Sequence, residues 1–578
     1  MFFRRHPSAL PTLLYGAAAI VSALFFAYLQ SHGFVNAFTD AKSHLLQSIQ
    51  MVYSLTPGIS QLGFWPPLLH VLLLPAIILL PHSVLLVAGA FITMLPLLLL
   101  GAHFLYGTCR ECGVSARTSL LAPVLFLIHP FVQYFASSVM AELPLIVMVS
   151  GVAYFALRWS RTLSLLDLSL FGIFVSLASL ARFEGFTLIP LSICFVVIRC
   201  WSLKMLWAQL QAIVLTFSFV ALLGTLFIVL YSTVYAGSPL AFLSLGTERI
   251  GETASSLRPS RFSFDVLLYS LQRLYLASVH IHGQWLIAAF AAAIPIVLVV
   301  RRQWTEVVIV LFLFSPALFM LLTMMLGRSS ISVPELPRIG NEGDPYGLFY
   351  NARFALTWVG ASIVSIVLAI DALMRWRALR AVTVVLVIPA VVLAAVWHLS
   401  MVLFDNNFVV IRHDEQAFAA FSSDPGTSSS DWLSDYDGGR VLFTRFYSEE
   451  RMLRSTVPLP AFVYEGNYRY FDQAVREPWL FARWVIVRHA LPDQRGANVN
   501  TTKIFRIMLE MEAMPEFKHY YELVQETTFL RYYKLREHVL RDQAVSLGYD
   551  PMKIPSLNPS ASWKPQTIYE ELQTPRER

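Results

Sequence analysis

The stretch VNAFTDAKSHLLQSIQMVYSLTPGISQLGFWPPLLHVLLLP, residues 35–75, follows the first long apolar run of the chain and contains one acid, Asp40. Asp40 and His44 are spaced i, i+4, so they share one face of a helix that begins near Thr39. The second half of the stretch is rich in proline and aromatic residues, and its apolar end is too short to cross a bilayer. We therefore predict a loop, residues 31–83, that lies along the membrane surface or re-enters it.

The sequence around this loop is that of a polytopic membrane protein. Of 578 residues, 56% are hydrophobic and 14% charged, and the mean hydropathy is +0.59. Uncharged runs of about 20 residues recur, which is the length needed to cross a hydrocarbon core of roughly 30 Å. With an uncleaved anchor at about 13–29, we predict about eleven transmembrane helices. The other predicted spans are 84–106, 118–137, 143–158, 165–182, 186–200, 207–234, 283–300, 305–326, 354–372 and 379–400.

Basic residues fall in every second connection between the predicted spans, as at Arg110, Arg158, Arg301 and Arg375. By the positive-inside rule, these short connections and the N-terminus are cytoplasmic. The long connections, 31–83, 235–282 and 327–353, then lie on the other side. We predict a multi-pass protein of the cell (plasma) membrane whose functional surface faces away from the cytoplasm.

The composition changes after about residue 400, where charges become frequent and apolar runs shorten. GGRVLFTRFYSEERMLRS, residues 438–455, predicts a turn, a strand and a helix, and FARWVIVRH, residues 481–489, predicts another strand. We predict a transmembrane module at 1–400, a small extracytoplasmic α/β domain at 401–555 and a disordered tail at 556–578.

Motifs for common cofactors are missing from the sequence. It contains neither a Gly-x-x-x-x-Gly-Lys nor a Gly-x-Gly-x-x-Gly motif, so nothing indicates ATP-driven transport or a nucleotide cofactor. Cys109 and Cys112 form a lone C-x-x-C without the second pair of ligands that a structural zinc needs nearby, and we predict unpaired thiols. No nucleic-acid partner is predicted.

Asp40 has two interpretations from local sequence alone. Thr39 is a suitable N-cap, and an acid in the first turn suits the helix dipole, so Asp40 would then be structural. Alternatively, an acid held between the membrane rim and a folded-back loop indicates a functional site. Both interpretations remain open at this point.

The first loop resembles that of a known superfamily. The pattern Asp-Ala-x-x-His-Leu followed by Thr-Pro-Gly-x-x-Gln-Leu-Gly-x-Trp-x-Pro-Leu-x-His is similar to the first outer loop of the GT-C integral-membrane glycosyltransferases. It is most like family 39, the protein O-mannosyltransferase and aminoarabinose-transferase kind. Two further stretches resemble family motifs at the corresponding places in the chain: AELPLIVMVSGVAYFALRW, residues 141–159, and LARFEGFTLIPL, residues 180–191. The resemblance covers about residues 10–400.

The resemblance implies an enzyme that moves a sugar from a polyprenyl-phosphate donor to an acceptor hydroxyl on the extracytoplasmic face, with inversion. The acceptor would be a glycan, a lipid or a protein. The donor's phosphate leaves as a stable anion, so this chemistry needs a carboxylate base and cations. Asp40 is similar in position to the family's catalytic base. Glu142 matches its second acid, which positions the acceptor or binds a metal; an ordinary interfacial carboxylate is the alternative.

Three further residues are candidates for substrate binding. Arg182 would either bind the lipid phosphate or form a local ion pair with Glu184 that stabilises a turn. Arg353, in YNARFALTW at residues 350–358, resembles an arginine that opens a late span in these enzymes, although an arginine can also snorkel to the interface.

His44 is a further candidate for substrate binding, with an interfacial polar residue as the alternative. Asp40, His44 and Glu142 have ligand chemistry that suits a divalent cation, but no fixed spacing indicates one. No cofactor is therefore predicted with certainty.

Two other classes of protein compete with the enzyme. A transporter would show repeated halves and acids at mid-membrane depth, and the sequence shows no internal repeat. A membrane scaffold would carry the loop acids for structural reasons only.

Overall fold

The structure is a computed structural model that describes residues 9–63, 65–236, 238–240, 263–326, 329, 331–336, 351–376, 381, 385, 389, 436–445, 448–455, 457–467, 469–489, 503–527 and 529–536. The chain folds into two compact units. The first comprises Met1–His44 and Phe64–Ala417, and the second comprises Leu45–Gly63 and Phe418–Arg578. The predicted tail, 556–578, lies outside the described residues.

The described residues before position 377 are mainly helical. Their α-helices are α1 (Ala9–Ser31), α2 (Thr39–Tyr53), α3 (Leu68–Leu79), α4 (His82–Glu111), α5 (Ala116–Ser119), α6 (Leu121–Leu127), α7 (Pro130–Phe135), α8 (Glu142–Thr162), α9 (Leu165–Ala181), α10 (Leu188–Ser202), α11 (Trp207–Ala236), α12 (Phe264–Ile296), α13 (Trp304–Met325) and α14 (Val359–Arg375). Short 3₁₀-helices lie at Ile59–Leu62, Phe183–Thr187 and Ala352–Trp358, and a π-helix lies at Val297–Arg301.

Eight helical segments among the described residues are long and apolar enough to cross a membrane. They are Leu13–Ser31, His82–Glu111, Glu142–Thr162, Phe183–Ser202, Trp207–Tyr235, Phe264–Arg301, Trp304–Met325 and Ala352–Arg375. The prediction of a polytopic helical protein is confirmed. The predicted span at 379–400 falls almost wholly outside the described residues.

Helix α8 lies at the centre of the first unit. All residues from Glu142 to Ala153 are buried, on every face of the helix. A helix that is apolar all round needs partners on all sides, and α8 packs against both α4 and α9. Its first residue, Glu142, is therefore placed inside the protein rather than at a surface.

Two predicted spans differ from the helices observed. Residues 118–137 form parts of three short helices instead of one span. The break between α6 and α7 arises because Pro130 restricts the residue before it, and His129 is extended with ψ 119°. Helix α12 begins at Phe264, well before the predicted start at 283, so the predicted outer connection 235–282 is shorter than expected. The helix departs from helical geometry at Gly283, with φ 77° and ψ 154°.

The second unit contains a five-stranded sheet in the order β2-β1-β3-β5-β4. The strands are β1 (Val441–Leu442), β2 (Phe462–Val463), β3 (Trp484–Arg488), β4 (Tyr521–Glu526) and β5 (Leu530–Leu535). β1 is parallel to β2 and β3, whereas β5 is antiparallel to β3 and β4. The accompanying helices are α15 (Glu449–Arg454), α16 (Arg469–Arg476), α17 (Pro478–Phe481), α18 (Lys503–Ala513) and α19 (Pro515–Tyr520). The predicted turn, strand and helix after Gly438, and the second predicted strand, are confirmed.

Part of the predicted first outer loop folds with this sheet domain. Gln61 is fully buried, donates to the carbonyl of Gly466 at 3.2 Å and accepts from the hydroxyl of Tyr464 at 2.7 Å. Asn467 donates to the hydroxyl of Thr56 at 2.7 Å. These buried hydrogen bonds join residues about 400 positions apart in sequence, so residues 45–63 form one unit with the C-terminal domain.

A buried ion-pair network joins the π-helix to α13 and α14. The Arg301 guanidinium donates to both carboxylate oxygens of Glu306, to Asp371 Oδ2 at 3.0 Å and to the carbonyl of Cys112 at 2.6 Å. Cys109 and Cys112 are both buried free thiols. Glu306 is fully buried, so its charge depends on Arg301 for compensation.

Replacing Glu306 with Ala is expected to destabilise the folded protein by about 3–5 kcal/mol, because it leaves Arg301 buried with fewer partners. Thermal unfolding in detergent measures the change. Glu111→Ala is the matched control, since Glu111 pairs with Arg161 and both side chains are partly exposed. A pair of that kind is worth at most about 1 kcal/mol. Equal destabilisation by the two variants would contradict the prediction.

Candidate active site

Four segments that are distant in sequence supply the candidate residues. Asp40 lies in the first turn of α2, and Glu142 is the first residue of α8. Arg182 directly follows α9, and Arg353 lies in the 3₁₀-helix Ala352–Trp358. All four belong to the first unit.

The four side chains form a continuous chain of ion pairs. Glu142 Oε1 accepts hydrogen bonds from Arg182 Nη1 at 2.9 Å and from Arg353 Nε at 3.1 Å. Arg353 also donates through Nη2 to Asp40 Oδ2. Arg182 pairs in addition with Glu184 Oε1 at 2.9 Å. The order is therefore Asp40, Arg353, Glu142, Arg182 and Glu184, with carboxylate and guanidinium alternating.

Exposure changes along this chain. Glu142 is fully buried, and the side chains of Arg353 and Arg182 are 8% and 11% exposed. The Asp40 side chain is 31% exposed. Asp40 is thus the carboxylate that a molecule outside the protein can reach, whereas Glu142 is held between two guanidiniums.

One oxygen of Glu142 is not used. Within the described part of the chain, Glu142 Oε2 is buried and has no hydrogen-bond partner, while Oε1 accepts from both arginines. A buried carboxylate requires cationic partners, and an unused oxygen has a desolvation cost. Glu142 therefore holds both guanidiniums through Oε1 alone.

Aromatic rings hold both guanidiniums in place. Arg182 Cζ lies 4.5 Å from the centroid of the Phe354 ring, and Arg353 Cζ lies 5.1 Å from that of Phe38. Both distances are in the range of cation–π contacts. Phe38 immediately precedes α2 and Phe354 immediately follows Arg353, so each ring comes from a segment that also supplies a charged residue of the site.

The turn that carries Arg182 depends on a glycine. Helix α9 ends at Ala181, Arg182 is extended with φ −158° and ψ 158°, and a 3₁₀-helix begins at Phe183. A side chain at Gly185 would collide with the backbone carbonyl of Ala178. Only glycine therefore lets this turn fold back against α9 and bring Arg182 to Glu142.

His44 is neutral in this environment. Its Nδ1 lies 3.3 Å from His70 Nε2, and both rings are buried. Burial, together with the charges of Arg182 and Arg353, lowers the pKa of His44 to about 3. His44 can thus serve as a hydrogen-bonding group but adds no positive charge to the site.

Among the described residues, no group of three or more His, Cys, Asp or Glu side chains is arranged to hold a metal ion. A divalent cation at Asp40, His44 and Glu142 therefore stays a prediction.

Several residues of the site were not singled out from sequence. Phe354 directly follows Arg353 and Phe38 lies two residues before Asp40, but neither belongs to a pattern that predicts a site. His70, the last residue of the loop motif, is fully buried against His44. The Trp65 ring centroid lies 4.5 Å from that of His44, so the Gly-x-Trp segment of the loop motif also packs here.

No protein-family model and no curated protein matches the chain. Solved structures that match it include the S. cerevisiae protein O-mannosyltransferase Pmt1-Pmt2 complex bound to the sugar donor, with 16% identity, a TM-score of 0.28 and coverage of 41% of this chain and 33% of that chain. The chain thus spans a third of that protein's length.

Two structures of oligosaccharyltransferases from Archaeoglobus fulgidus also match. AglB, in complex with an inhibitory peptide and a dolichol-phosphate, shows 14% identity and a TM-score of 0.41 over 92% of this chain and 74% of that chain. A complex with Zn and sulfate shows 14% identity and a TM-score of 0.39 over 89% and 72%.

Proposed function

We propose that the chain is a membrane glycosyltransferase that moves a sugar from a polyprenyl-phosphate donor to an acceptor hydroxyl, with inversion at the anomeric carbon. The observation that supports this most is the convergence of Asp40, Glu142, Arg182 and Arg353, from four separate segments, on one chain of ion pairs. It combines a part-exposed carboxylate with two fixed guanidiniums, which are the groups that the reaction needs.

Each group has a distinct role in this proposal. The acceptor oxygen attacks the anomeric carbon, the bond from that carbon to the phosphate oxygen breaks, and the acceptor proton passes to Asp40. The phosphate leaves with the electron pair of the broken bond, and Arg353 and Arg182 stabilise its charge. Glu142 is a positioning residue, since it holds both guanidiniums through one oxygen.

The ion pair between Asp40 and Arg353 has a consequence for the order of events. The site contains three carboxylates and two guanidiniums, and His44 is neutral, so an incoming phosphate must compete with a carboxylate for a guanidinium. Asp40 is the most exposed of the three carboxylates and the easiest to displace. We infer that donor binding draws Arg353 to the phosphate and thereby releases Asp40 to act as a base.

The proposal extends to location and substrates. The site lies on the extracytoplasmic side of the cell membrane if the N-terminus is cytoplasmic, as the positive-inside rule predicts. The sugar is a hexose or pentose, and the acceptor is a glycan, a lipid or a protein.

The stereochemistry of the product tests the proposed function. Membranes containing the protein are incubated with a panel of polyprenyl-phosphate hexoses and pentoses and a mixed acceptor fraction, and the transferred sugar is analysed by NMR. We expect release of polyprenyl phosphate and an anomeric configuration opposite to that of the donor, because the site offers one base for a single displacement. Retention would contradict the role of Asp40, and no turnover with any donor would favour a transporter or a scaffold. Membranes lacking the protein serve as the control.

A further inference from the structure

Two buried histidines contact the 3₁₀-helix that carries Arg353. His282, in α12, has its Nε2 2.8 Å from the backbone carbonyl oxygen of Ala355. His282 Nδ1 lies 3.1 Å from His129 Nε2. Both rings are at most 1% exposed. The pair thus links α12 to a backbone atom two residues beyond Arg353.

The carbonyl oxygen of Ala355 determines the tautomers of His282 and His129. A carbonyl oxygen only accepts, so His282 carries its proton on Nε2. In the neutral ring the Nδ1 atom is then an acceptor, and His129 donates to it from Nε2. The hydrogen bonds therefore run in one direction, from His129 to His282 and from His282 to Ala355.

A second contact fixes the end of the same 3₁₀-helix. Trp358 donates from Nε1 to Ser278 Oγ at 3.3 Å, and Ser278 lies one turn before His282 in α12. The ring centroids of His282 and Trp358 are 4.6 Å apart, edge to face. Because hydrogen bonds within a 3₁₀-helix have poorer geometry than those of an α-helix, external contacts contribute more to its position.

The direction of His282 depends on the break in α12. Gly283 follows it directly, with φ 77° and ψ 154°, a conformation that residues with a side chain rarely adopt. The break changes the course of the helix at the residue that contacts Ala355. The sequence therefore places a glycine where the backbone has to turn beside this histidine.

We propose that His282, oriented by His129, is a positioning residue for Arg353. By donating to the carbonyl of Ala355, it fixes the 3₁₀-helix that holds Arg353 against Glu142 and presents it to the donor phosphate. That the ligand of Arg353 is a donor phosphate rests on the proposed function. The contact itself is independent of the reaction.

Two substitutions of His282 separate the two hydrogen bonds. In His282→Gln, the side-chain amide nitrogen occupies about the place of Nε2 and keeps the donation to Ala355. In His282→Asn, the amide oxygen occupies the place of Nδ1 and keeps the bond from His129, but the side chain is too short to reach Ala355. We expect donor KM to rise roughly 3- to 10-fold in His282→Asn, the effect of one neutral hydrogen bond, and to stay nearly unchanged in His282→Gln.

Hydrogen–deuterium exchange supplies a readout that needs no activity. Peptides covering 352–358 are expected to exchange faster in His282→Asn than in wild type or His282→Gln, in purified full-length protein. An equal effect of both variants on donor KM and on exchange would overturn the proposal, as would a rise in acceptor KM alone. If the wild-type protein transfers no sugar from any donor, the proposed function fails. The positioning role of His282 is then tested by hydrogen–deuterium exchange alone, and unchanged exchange in His282→Asn overturns it.

Discussion

Replacing Asp40 with Asn is expected to lower sugar transfer by roughly 10²–10⁴-fold, the usual loss on removing a general base. Asn has the same size as Asp and caps helices about equally well. Its amide oxygen can still accept a hydrogen bond from Arg353. It cannot take a proton from the acceptor hydroxyl, so chemistry fails while folding and membrane insertion persist. Transfer rates in membranes with matched protein amounts measure the effect.

Asp265→Asn provides the matched control for this experiment. Asp265 lies in the first turn of α12, as Asp40 lies in the first turn of α2, but it is exposed. Its replacement should leave transfer unchanged. If Asp40 only stabilises its helix, Asp40→Asn would be silent and Asp40→Ala would cost about 1 kcal/mol of stability with activity retained. Near wild-type transfer in Asp40→Asn would remove Asp40 from the mechanism, and Glu142 would be the next base to test.

The first loop shows how far local pattern can predict structure. The i, i+4 spacing of Asp40 and His44 and the acid at a helix start predict α2, which begins at Thr39 with Asp40 in its first turn. The local ion pair of Arg182 and Glu184 was also an open alternative, and it is present. The pair with Glu184 is compatible with a role of Arg182 at the site, because the same guanidinium also contacts Glu142.

The convergence of the site could not be predicted from periodicity. Asp40 and Arg353 are 313 residues apart, and no local signal pairs them. Arg353 was singled out only through the resemblance to a family of glycosyltransferases, whereas Asp40 was already a candidate from its place between the membrane rim and the folded-back loop. The contact of His282 with Ala355 is also long-range, and it uses a backbone carbonyl, which leaves no trace in the sequence. Similarly, the loop residues Thr56 and Gln61 bond to a segment some 400 positions later.

Replacing Arg353 with Ala is expected to raise donor KM by roughly 10- to 100-fold, the effect of losing a charge-assisted hydrogen bond to the phosphate. The contact forms in the ground state, so donor binding should suffer more than the activation of the acceptor by Asp40. Steady-state kinetics with the donor and acceptor concentrations varied separately measure the KM for each substrate. Arg158→Ala is the control, since Arg158 is exposed and pairs with Asp167, outside this site. A rise in acceptor KM with donor KM unchanged would instead place Arg353 in the acceptor site, and Arg182 would then be the remaining candidate for the phosphate.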